Sequence, residues 1–190
     1  MPTEGLLVVD LDGTVIGCNS FPRYVNFLFA EGLRRRDRRL LTGLLRASLR
    51  RRLRIGSHAA FKARVIELST GLEGEVLREW ARSLLRDYGH QQVLDFVAGW
   101  PGIKVMASAA PELYACHFAE LLALDGCLGS ILDSTGLIDN RSGTKLIRLA
   151  EHGYGLPVVA LSDDRDGDGP LLSAARTAYL VDAAGALKRL

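Results

Sequence analysis

Two aspartates, Asp10 and Asp12, directly follow the apolar run Leu6–Val9 near the start of the sequence. Four large apolar residues in a row predict a buried strand of a parallel sheet, and such sheets bind ligands beyond the carboxyl ends of their strands. Side chains two apart on an extended chain share one side, where two carboxylates repel unless a cation or a shared proton offsets them. Gly13 permits a sharp turn after the pair, and the Thr14 hydroxyl is expected to hold it through a local hydrogen bond. The pattern therefore predicts a site for Mg²⁺, which prefers oxygen ligands.

Two further polar side chains, Ser108 and Lys145, have the chemistry to bind an anion. The run Ile103–Ala107 predicts a second buried strand, and a helix is expected to begin near Pro111. Ser108 then lies between a strand and a helix N-terminus, where its hydroxyl and free backbone N–H groups bind a phosphoryl group. Lys145 is one of four lysines in an arginine-rich chain, and its compact ammonium group suits a point contact with a phosphoryl oxygen.

A cluster of acids follows a third apolar run, Pro157–Leu161. The cluster consists of Asp163, Asp164, Asp166 and Asp168. Because the run predicts another buried strand, these carboxylates are also expected at the ligand-binding edge of the sheet. They offer further oxygen ligands for a metal ion.

Between the first and second predicted strands, apolar residues recur at helical spacing, as in the helix predicted over Glu73–Tyr88. After Trp100, strands alternate with helices such as Thr144–His152, and this alternation predicts a parallel sheet with right-handed crossovers. Ala178–Val181 is the last predicted strand. We therefore predict an α/β fold with a Rossmann-like parallel-sheet core formed by residues 1–16 and 100–190. An all-helical segment of residues 17–99 is inserted into it.

The composition predicts a folded protein, with 48% hydrophobic residues. No run approaches the roughly 20 apolar residues that a membrane span needs, and the early first strand leaves no room for a signal peptide. Cys18, Cys116 and Cys127 are odd in number and lack a CxxC spacing, so neither a disulfide framework nor a zinc site is expected. The expected location is the cytoplasm.

Positive charge is concentrated in Arg34–Arg54, which contains ten arginines and a single acid, Asp37. The ordinary interpretation is the solvated face of amphipathic helices whose leucines turn inward. Those leucines are Leu40, Leu41, Leu44, Leu45, Leu49 and Leu53. The alternative is contact between this segment and anionic lipid headgroups at a membrane surface. Nucleic acid is not an expected partner, because no aromatic residues interleave with the arginines.

The order of these motifs resembles the haloacid dehalogenase (HAD) superfamily of phosphohydrolases. The resemblance covers residues 5–20 and 100–190 and rests on DxDGT at Asp10–Thr14, then Ser108, Lys145 and the acidic segment before Pro170. It implies that Asp10 is the nucleophile that becomes an aspartyl-phosphate, and that Asp12 acts first as acid and then as base. A phosphomonoesterase is favoured, because relatives that cleave carbon–halogen bonds lack the second acid.

The resemblance also assigns the residues around the phosphoryl group. Ser108 and Lys145 are expected to stabilise this group during its transfer. Ala109, Gly13 and Thr14 are expected to take part with them in binding the substrate phosphate. The physical reason is that phosphoryl transfer depends mainly on positioning and charge neutralisation.

The implied cofactor is Mg²⁺, held by Asp10, the backbone carbonyl of Asp12 and acids of the last motif. Spacing from the following proline favours Asp164 and Asp168 as those acids. The preceding Ser-Asp pair instead favours Asp163, which stays open as the alternative to Asp164.

The helical insertion resembles a C1-type cap, and the downstream motifs are similar to the phosphoserine-phosphatase-like subgroup and to bacterial phosphatidylglycerophosphate phosphatases. Phosphoserine phosphatases carry a glutamate early in the cap, where this chain has Cys18–Phe21. The expected substrate is therefore another small phosphorylated metabolite or a lipid phosphate. Two alternatives stay open: a phosphotransferase or phosphomutase of the same superfamily, and a non-catalytic anion- or lipid-binding protein that retains the fold.

Overall fold

A seven-stranded sheet forms the centre of the computed structural model, which describes residues 5–190. The strands are β1 (Leu7–Val9), β2 (Lys104–Pro111), β3 (Gly126–Asp133), β4 (Gly136–Ile138), β5 (Val159–Ser162), β6 (Thr177–Val181) and β7 (Leu187–Arg189). Their order across the sheet is β4-β3-β2-β1-β5-β6-β7. The pairs β3–β4 and β6–β7 are antiparallel, and the other neighbours are parallel. The predicted α/β fold with a mostly parallel sheet is confirmed.

Strand β1 lies at the middle of the sheet, where both of its neighbours are parallel. Val8 is in register with Val105 of β2 on one side and with Ala160 of β5 on the other. Leu7 and Val9 pack into one hydrophobic cluster and Val8 into a second, so both faces of the strand are buried. Burial on both faces explains why the strand is a continuous apolar run rather than an alternating one.

Within the described residues 5–190, eight helices complete the fold. They are α1 (Ser20–Arg35), α2 (Arg38–Arg52), α3 (His58–Ser69), α4 (Gly74–Tyr88), α5 (Gln91–Ala98), α6 (Glu112–Leu121), α7 (Gly143–Glu151) and α8 (Gly169–Ala174). Side chains cap three of the first helices: Asn19 accepts from the Phe21 N–H, Asp37 from Leu40 and Ser57 from Ala60. These caps satisfy backbone donors that would otherwise lack partners. Helices α1–α5 all lie between β1 and β2 in the chain, and the division into a core domain and a cap remains a prediction.

Aromatic side chains join the inserted helices to the sheet-covering helix α6. The Tyr24 ring on α1 lies 4.6 Å from the Tyr114 ring on α6. Trp80 on α4 lies 5.1 Å from Tyr114 and 6.0 Å from Phe118, measured between ring centroids. Edge-to-face and tilted pairs at these distances stabilise packing beyond their buried area. Helices α1 and α4 are therefore packed against α6 through these rings.

Several sequence-based boundaries differ from the structure. Strand β2 runs on to Pro111 and α6 begins at Glu112, so Pro111 ends a strand instead of occupying the first helical position. The strand over residues 177–181 is not the last, because β7 pairs with it in antiparallel fashion. The three-residue strands β4 and β7 and the six-residue helix α8 were not predicted, since such short elements carry too few residues to show a period.

The expectation that all the leucines of the arginine-rich segment turn inward is wrong for three of them. Leu45, Leu49 and Leu53 are 63%, 53% and 58% exposed, whereas Leu40 and Leu44 are buried. Helix α2 contacts α1 and α3 through one narrow face, which also includes Gly43 and Ala47. A single packed face of a surface helix leaves the opposite residues in solvent. Within residues 5–190, no helix combines the length and apolar character needed to cross a bilayer.

Candidate active site

A cleft of about 220 Å³ opens at the carboxyl ends of β1, β2 and β5. Its walls include most of the residues that the sequence singled out: Asp10, Asp12, Ser108, Ala109, Lys145, Asp163, Asp164 and Asp168. Gly13 lines an adjoining depression together with Asp12 and Asp163. The chain proceeds from β1 to β2 and β3 on one side and then crosses to β5 on the other side of β1, so the cleft lies at a switch point where parallel sheets of this kind bind their ligands.

Lys145 holds two carboxylates at the base of the cleft. Its Nζ donates to Asp10 Oδ1 at 2.7 Å and to Asp168 Oδ2 at 2.7 Å, and its side chain is only 2% exposed. Burial lowers the pKa of Lys145, but the charges of Asp10 and Asp168 outweigh it and raise the pKa above its ordinary value. The ammonium group therefore stays charged and joins the end of β1 to the acidic loop after β5.

Burial has a larger effect on the pKa of Asp10 than any neighbouring charge. Burial raises the pKa of Asp10 to about 7, against the lowering effect of Lys145, and the charges of Asp168 and Asp12 add to the increase. A buried carboxyl with a raised pKa has too little positive charge nearby to stabilise its ionised form. The cleft consequently favours an additional cation.

Asp12 is held by the beginning of α1. Its Oδ1 accepts a hydrogen bond of 2.9 Å from the Ser20 N–H, and the Ser20 hydroxyl lies 2.8 Å from the Tyr114 hydroxyl. Burial raises the pKa of Asp12, and the charge of Asp163 adds to this effect. A raised pKa suits a group that must carry a proton to a leaving oxygen.

The turn after Asp12 is held by side-chain hydrogen bonds to the loop after β5 and not by a side-chain hydrogen bond within the turn. The Thr14 hydroxyl accepts from the Asp163 N–H at 2.9 Å and donates to Asp163 Oδ1 at 3.2 Å. The expected local hydrogen bond of Thr14 is therefore replaced by a contact between distant segments. Gly13 adopts φ +73°, and a Cβ there would lie 2.0 Å from Asp163 Oδ2, so only glycine permits this approach.

The acids of the last motif have different surroundings. Asp168 is buried and also accepts from the Ser162 hydroxyl at 2.7 Å. Asp164 is exposed, and its Oδ1 accepts from the Gly167 N–H at 2.7 Å within its own loop. Asp163 is also an exposed residue, but its charge acts on Asp12, and partial burial of its carboxyl group raises its own pKa.

Ser108 occupies a different local position from the expected one. It lies inside β2, next to an irregularity between Ala107 and Pro111 in the pairing with β3, and not at a helix N-terminus. Its hydroxyl accepts from the Ala110 N–H at 3.2 Å. The serine still lines the cleft, because the irregular end of β2 bends the chain there.

Lys62 is a residue near the cleft that sequence reasoning did not identify. It lies on α3, and its buried Nζ donates to Asp139 Oδ1 at 2.6 Å, to the Ser130 hydroxyl at 3.0 Å and to the Ala109 carbonyl. Ala109 borders the cleft, so this lysine ties the inserted helices to its wall. The spacing of Lys62 from Val65 is compatible with the buried face of a helix, but no neighbouring residue in the sequence indicates the contact with Asp139.

The residues present fit a divalent cation. Asp10, Asp12 and Asp163 all have raised pKa values, chiefly through burial, and Lys145 already serves Asp10 and Asp168. Excess buried carboxylate charge with oxygen donors is the chemistry that Mg²⁺ satisfies. A separate group, Cys116, His117 and Glu120 on α6, brings three potential ligand atoms within 4.8 Å of one another. His117 hydrogen-bonds Glu120 there, and burial raises the pKa of the Cys116 thiol, which opposes metal binding.

Comparison with solved structures supports the fold. A Bordetella pertussis Tohama I protein of unknown function matches with a TM-score of 0.65 and 17% identity, over 93% of this chain and 89% of that one. A probable phosphoserine phosphatase from Vibrio cholerae matches with a TM-score of 0.60 and 15% identity, over 92% of this chain and 55% of that one. A phosphoserine phosphohydrolase-like protein from Francisella tularensis matches with a TM-score of 0.55 and 14% identity, over 92% and 85%.

A search of curated proteins finds no match. Comparison with protein families, in contrast, gives a match to the haloacid dehalogenase-like hydrolases over residues 7–173. This range spans the strand before Asp10, the inserted helices and the acidic loop. The chain therefore belongs to the haloacid dehalogenase-like hydrolase family, and it shares its fold with phosphoserine phosphatases.

Proposed function

We propose that this protein is a phosphatase that hydrolyses a phosphomonoester through an aspartyl-phosphate on Asp10. The observation that carries the proposal is the buried Lys145 ammonium group, hydrogen-bonded to both Asp10 and Asp168 in a cleft that Ser108 also lines. A carboxylate, a fixed cation and a hydroxyl facing one small space are suited to positioning a phosphoryl group and neutralising its charge.

In the proposed reaction, Asp10 attacks phosphorus and the bond to the leaving oxygen breaks. Lys145 holds Asp10 Oδ1, which leaves Oδ2 as the attacking atom. Asp12 gives its proton to the leaving oxygen and then takes a proton from the water that hydrolyses the aspartyl-phosphate. The Ser20 N–H keeps Asp12 Oδ1 in place through both steps. Splitting the reaction through a covalent intermediate replaces one difficult step by two easier ones.

The proposed cofactor is Mg²⁺, which when bound neutralises phosphoryl oxygens and the carboxylates around them. Its ligands would be Asp10, the backbone carbonyl of Asp12 and one acid of the loop after β5. The spacing of the sequence favours Asp164, but the Asp164 carboxylate is engaged by its own loop. Asp163 is held by Thr14 beside Asp12, so we propose Asp163 as the ligand and assign Asp168 to positioning Lys145.

The proposed substrate class is a small phosphorylated metabolite. Structural similarity to phosphoserine phosphatases makes phosphoserine the first compound to test, although residues 18–21 lack the glutamate that those enzymes carry. Lipid phosphates form a second class. Arg141, which lines the cleft, suits the phosphate group of either class.

The test is hydrolysis of p-nitrophenyl phosphate with Mg²⁺, with EDTA and with the Asp10→Asn variant. We expect turnover that needs both the metal and Asp10, while the variant retains the melting temperature of a folded protein. Metal-independent turnover, or turnover by Asp10→Asn, would contradict the mechanism. If the aryl ester is not cleaved, the same controls apply to a panel of phosphorylated metabolites and lipid phosphates.

Phosphotransfer is the second candidate reaction, because an aspartyl-phosphate passes to any acceptor that reaches it. Adding a competing alcohol during turnover separates the two reactions. A hydrolase releases inorganic phosphate in proportion to substrate consumed, whereas a transferase forms the phosphorylated alcohol at the expense of phosphate.

A further inference from the structure

The outer face of α2 exposes large apolar side chains where a surface helix normally presents polar ones. Leu45 and Leu49 lie one helical turn apart and are 63% and 53% exposed. Leu53 and Ile55, just after the helix, are each 58% exposed. The buried face of the same helix, which includes Leu44, already accounts for its packing against α1 and α3. About half or more of each outer leucine therefore remains in contact with water, which is unfavourable for an apolar side chain.

Arginines surround these leucines. We use the name arginine–leucine surface for Arg38, Leu45, Arg46, Leu49, Arg50, Arg52 and Leu53, all of them exposed. Within residues 5–190, none of its four arginines forms an ion pair, in contrast to Arg34 and Arg35, which pair with Glu31. The surface therefore combines free positive charge with exposed apolar area and contains no acid.

A groove of about 440 Å³ lies beside this surface, between α2 and α3. Five arginines line it: Arg39, Arg46, Arg50, Arg51 and Arg64. Ser57 and the first turn of α3 form one of its walls. Multiple guanidinium groups around a space of this size suit phosphate, because each guanidinium donates two parallel hydrogen bonds to phosphate oxygens. Arg46 and Arg50 belong both to the groove lining and to the arginine–leucine surface. A molecule bound in the groove is therefore adjacent to the exposed leucines.

We propose that the arginine–leucine surface binds the protein to an anionic phospholipid bilayer. The leucines enter the boundary between headgroups and acyl chains, and the arginines contact lipid phosphates at the surface and in the groove. Charge complementarity supports this occupant, as does the apolar area at the centre of the positive patch. A nucleic acid would use the arginines but leave the leucines in water. Binding of this kind requires no turnover at Asp10, so it stands or falls separately from the proposed phosphatase activity.

The test is co-sedimentation of the full chain with vesicles of phosphatidylcholine alone and of phosphatidylcholine mixed with phosphatidylglycerol. We expect binding to the mixed vesicles only. Raising the salt from about 0.1 M to about 1 M should weaken it strongly, because the screening length falls from about 10 Å to about 3 Å. Absence of binding to the mixed vesicles at low salt, or equal binding to both vesicle types, would overturn the proposal.

Two variants separate the contributions of charge and apolar area. In Arg46→Gln/Arg50→Gln, partitioning should fall about fivefold for each arginine removed. In Leu45→Ser/Leu49→Ser it should fall about fivefold for each leucine, since roughly half of each side chain remains to be buried. The first matched control is Arg176→Gln/Arg189→Gln, which removes two exposed charges elsewhere. A second control removes exposed apolar residues elsewhere: Ile103→Ser/Leu156→Ser.

Control variants that reduce vesicle binding as much as the α2 variants would contradict a specific surface. A gel-shift assay with a duplex oligonucleotide tests the alternative that the surface binds nucleic acid. If the oligonucleotide binds and Leu45→Ser/Leu49→Ser leaves vesicle binding unchanged, the surface recognises polyanions and the bilayer assignment is wrong. Melting temperatures of all variants should match that of the parent chain, because none of the substituted side chains is buried.

Discussion

Thr14 and Asp163 exchange two hydrogen bonds although they lie 149 positions apart in the sequence. The Thr14 hydroxyl accepts from the Asp163 backbone and donates to its carboxylate. This contact joins the turn after β1 to the loop after β5, which are the two segments that would share the metal ion. The threonine of the DxDGT motif therefore acts as a positioning residue for the acid opposite it.

Replacing this threonine should weaken metal binding more than it weakens the chemistry. In Thr14→Val, the Mg²⁺ concentration for half-maximal activity should rise by about 10- to 100-fold, the usual cost of losing a group that orients a metal ligand. Turnover at saturating Mg²⁺ should stay close to that of the parent. Thr14→Ser keeps the hydroxyl and serves as the matched control. An unchanged Mg²⁺ requirement in Thr14→Val would contradict the assignment of Asp163.

The two acids of the first motif should have separable effects. Asp12→Asn should slow turnover by about 10²- to 10⁴-fold, the usual scale for removing a general acid. Substrates with a good leaving group need less protonation, so this loss should be smaller for an aryl phosphate than for an alkyl phosphate. Asp10→Asn should abolish turnover for both substrates. The measurement is the steady-state rate of each variant with the aryl and the alkyl phosphate. Equal losses for both substrates in Asp12→Asn would contradict the role of Asp12 as the acid.

The buried contact between Lys62 and Asp139 should contribute to stability. Lys62→Met should lower the free energy of unfolding by about 2 kcal/mol, less than the 3–5 kcal/mol typical of breaking a fully buried pair. The smaller value follows because the Asp139 side chain keeps 29% of its surface exposed. Urea denaturation of Lys62→Met, Asp139→Asn and the double variant measures the coupling. Strictly additive losses would show that the two side chains do not stabilise each other.

Glu31 gives a stability effect with a defined pH window. Hydrogen bonds from Arg34, followed by those from Arg35, lower the pKa of Glu31 from 4.5 to about 2. The folded chain thus keeps this carboxylate ionised at pH values where the unfolded chain protonates it. Its stabilisation is complete above pH 4.5 and is lost as the pH falls toward 2. The difference in melting temperature between the parent and Glu31→Gln should shrink over that range, and a constant difference would contradict the ion pairs.

The sequence predicts the features that depend on neighbouring residues and on strong periods. The buried strands before Asp10 and Asp163 follow directly from their apolar runs, and the helix over residues 74–88 follows from its spacing. Contacts between distant segments produce no comparable pattern in the amino-acid sequence. Nothing around Lys62 in the sequence indicates that its charge is buried against Asp139. The same limit applies to Leu45, because which face of a helix is packed depends on the elements that lie beside it.

The middle position of β1 affects how the protein is made. Val8 needs β2 at Val105 and β5 at Ala160 before its backbone groups are paired on both sides. Strand β1 (Leu7–Val9) is translated well before its second neighbour, β5 (Val159–Ser162), and pairing across such a separation is slow. Helices α1–α5 can form in the meantime because their hydrogen bonds are local. Asp10 and Asp163 thus come together only once β5 has been translated, so a nascent chain stalled before β5 has no assembled cleft.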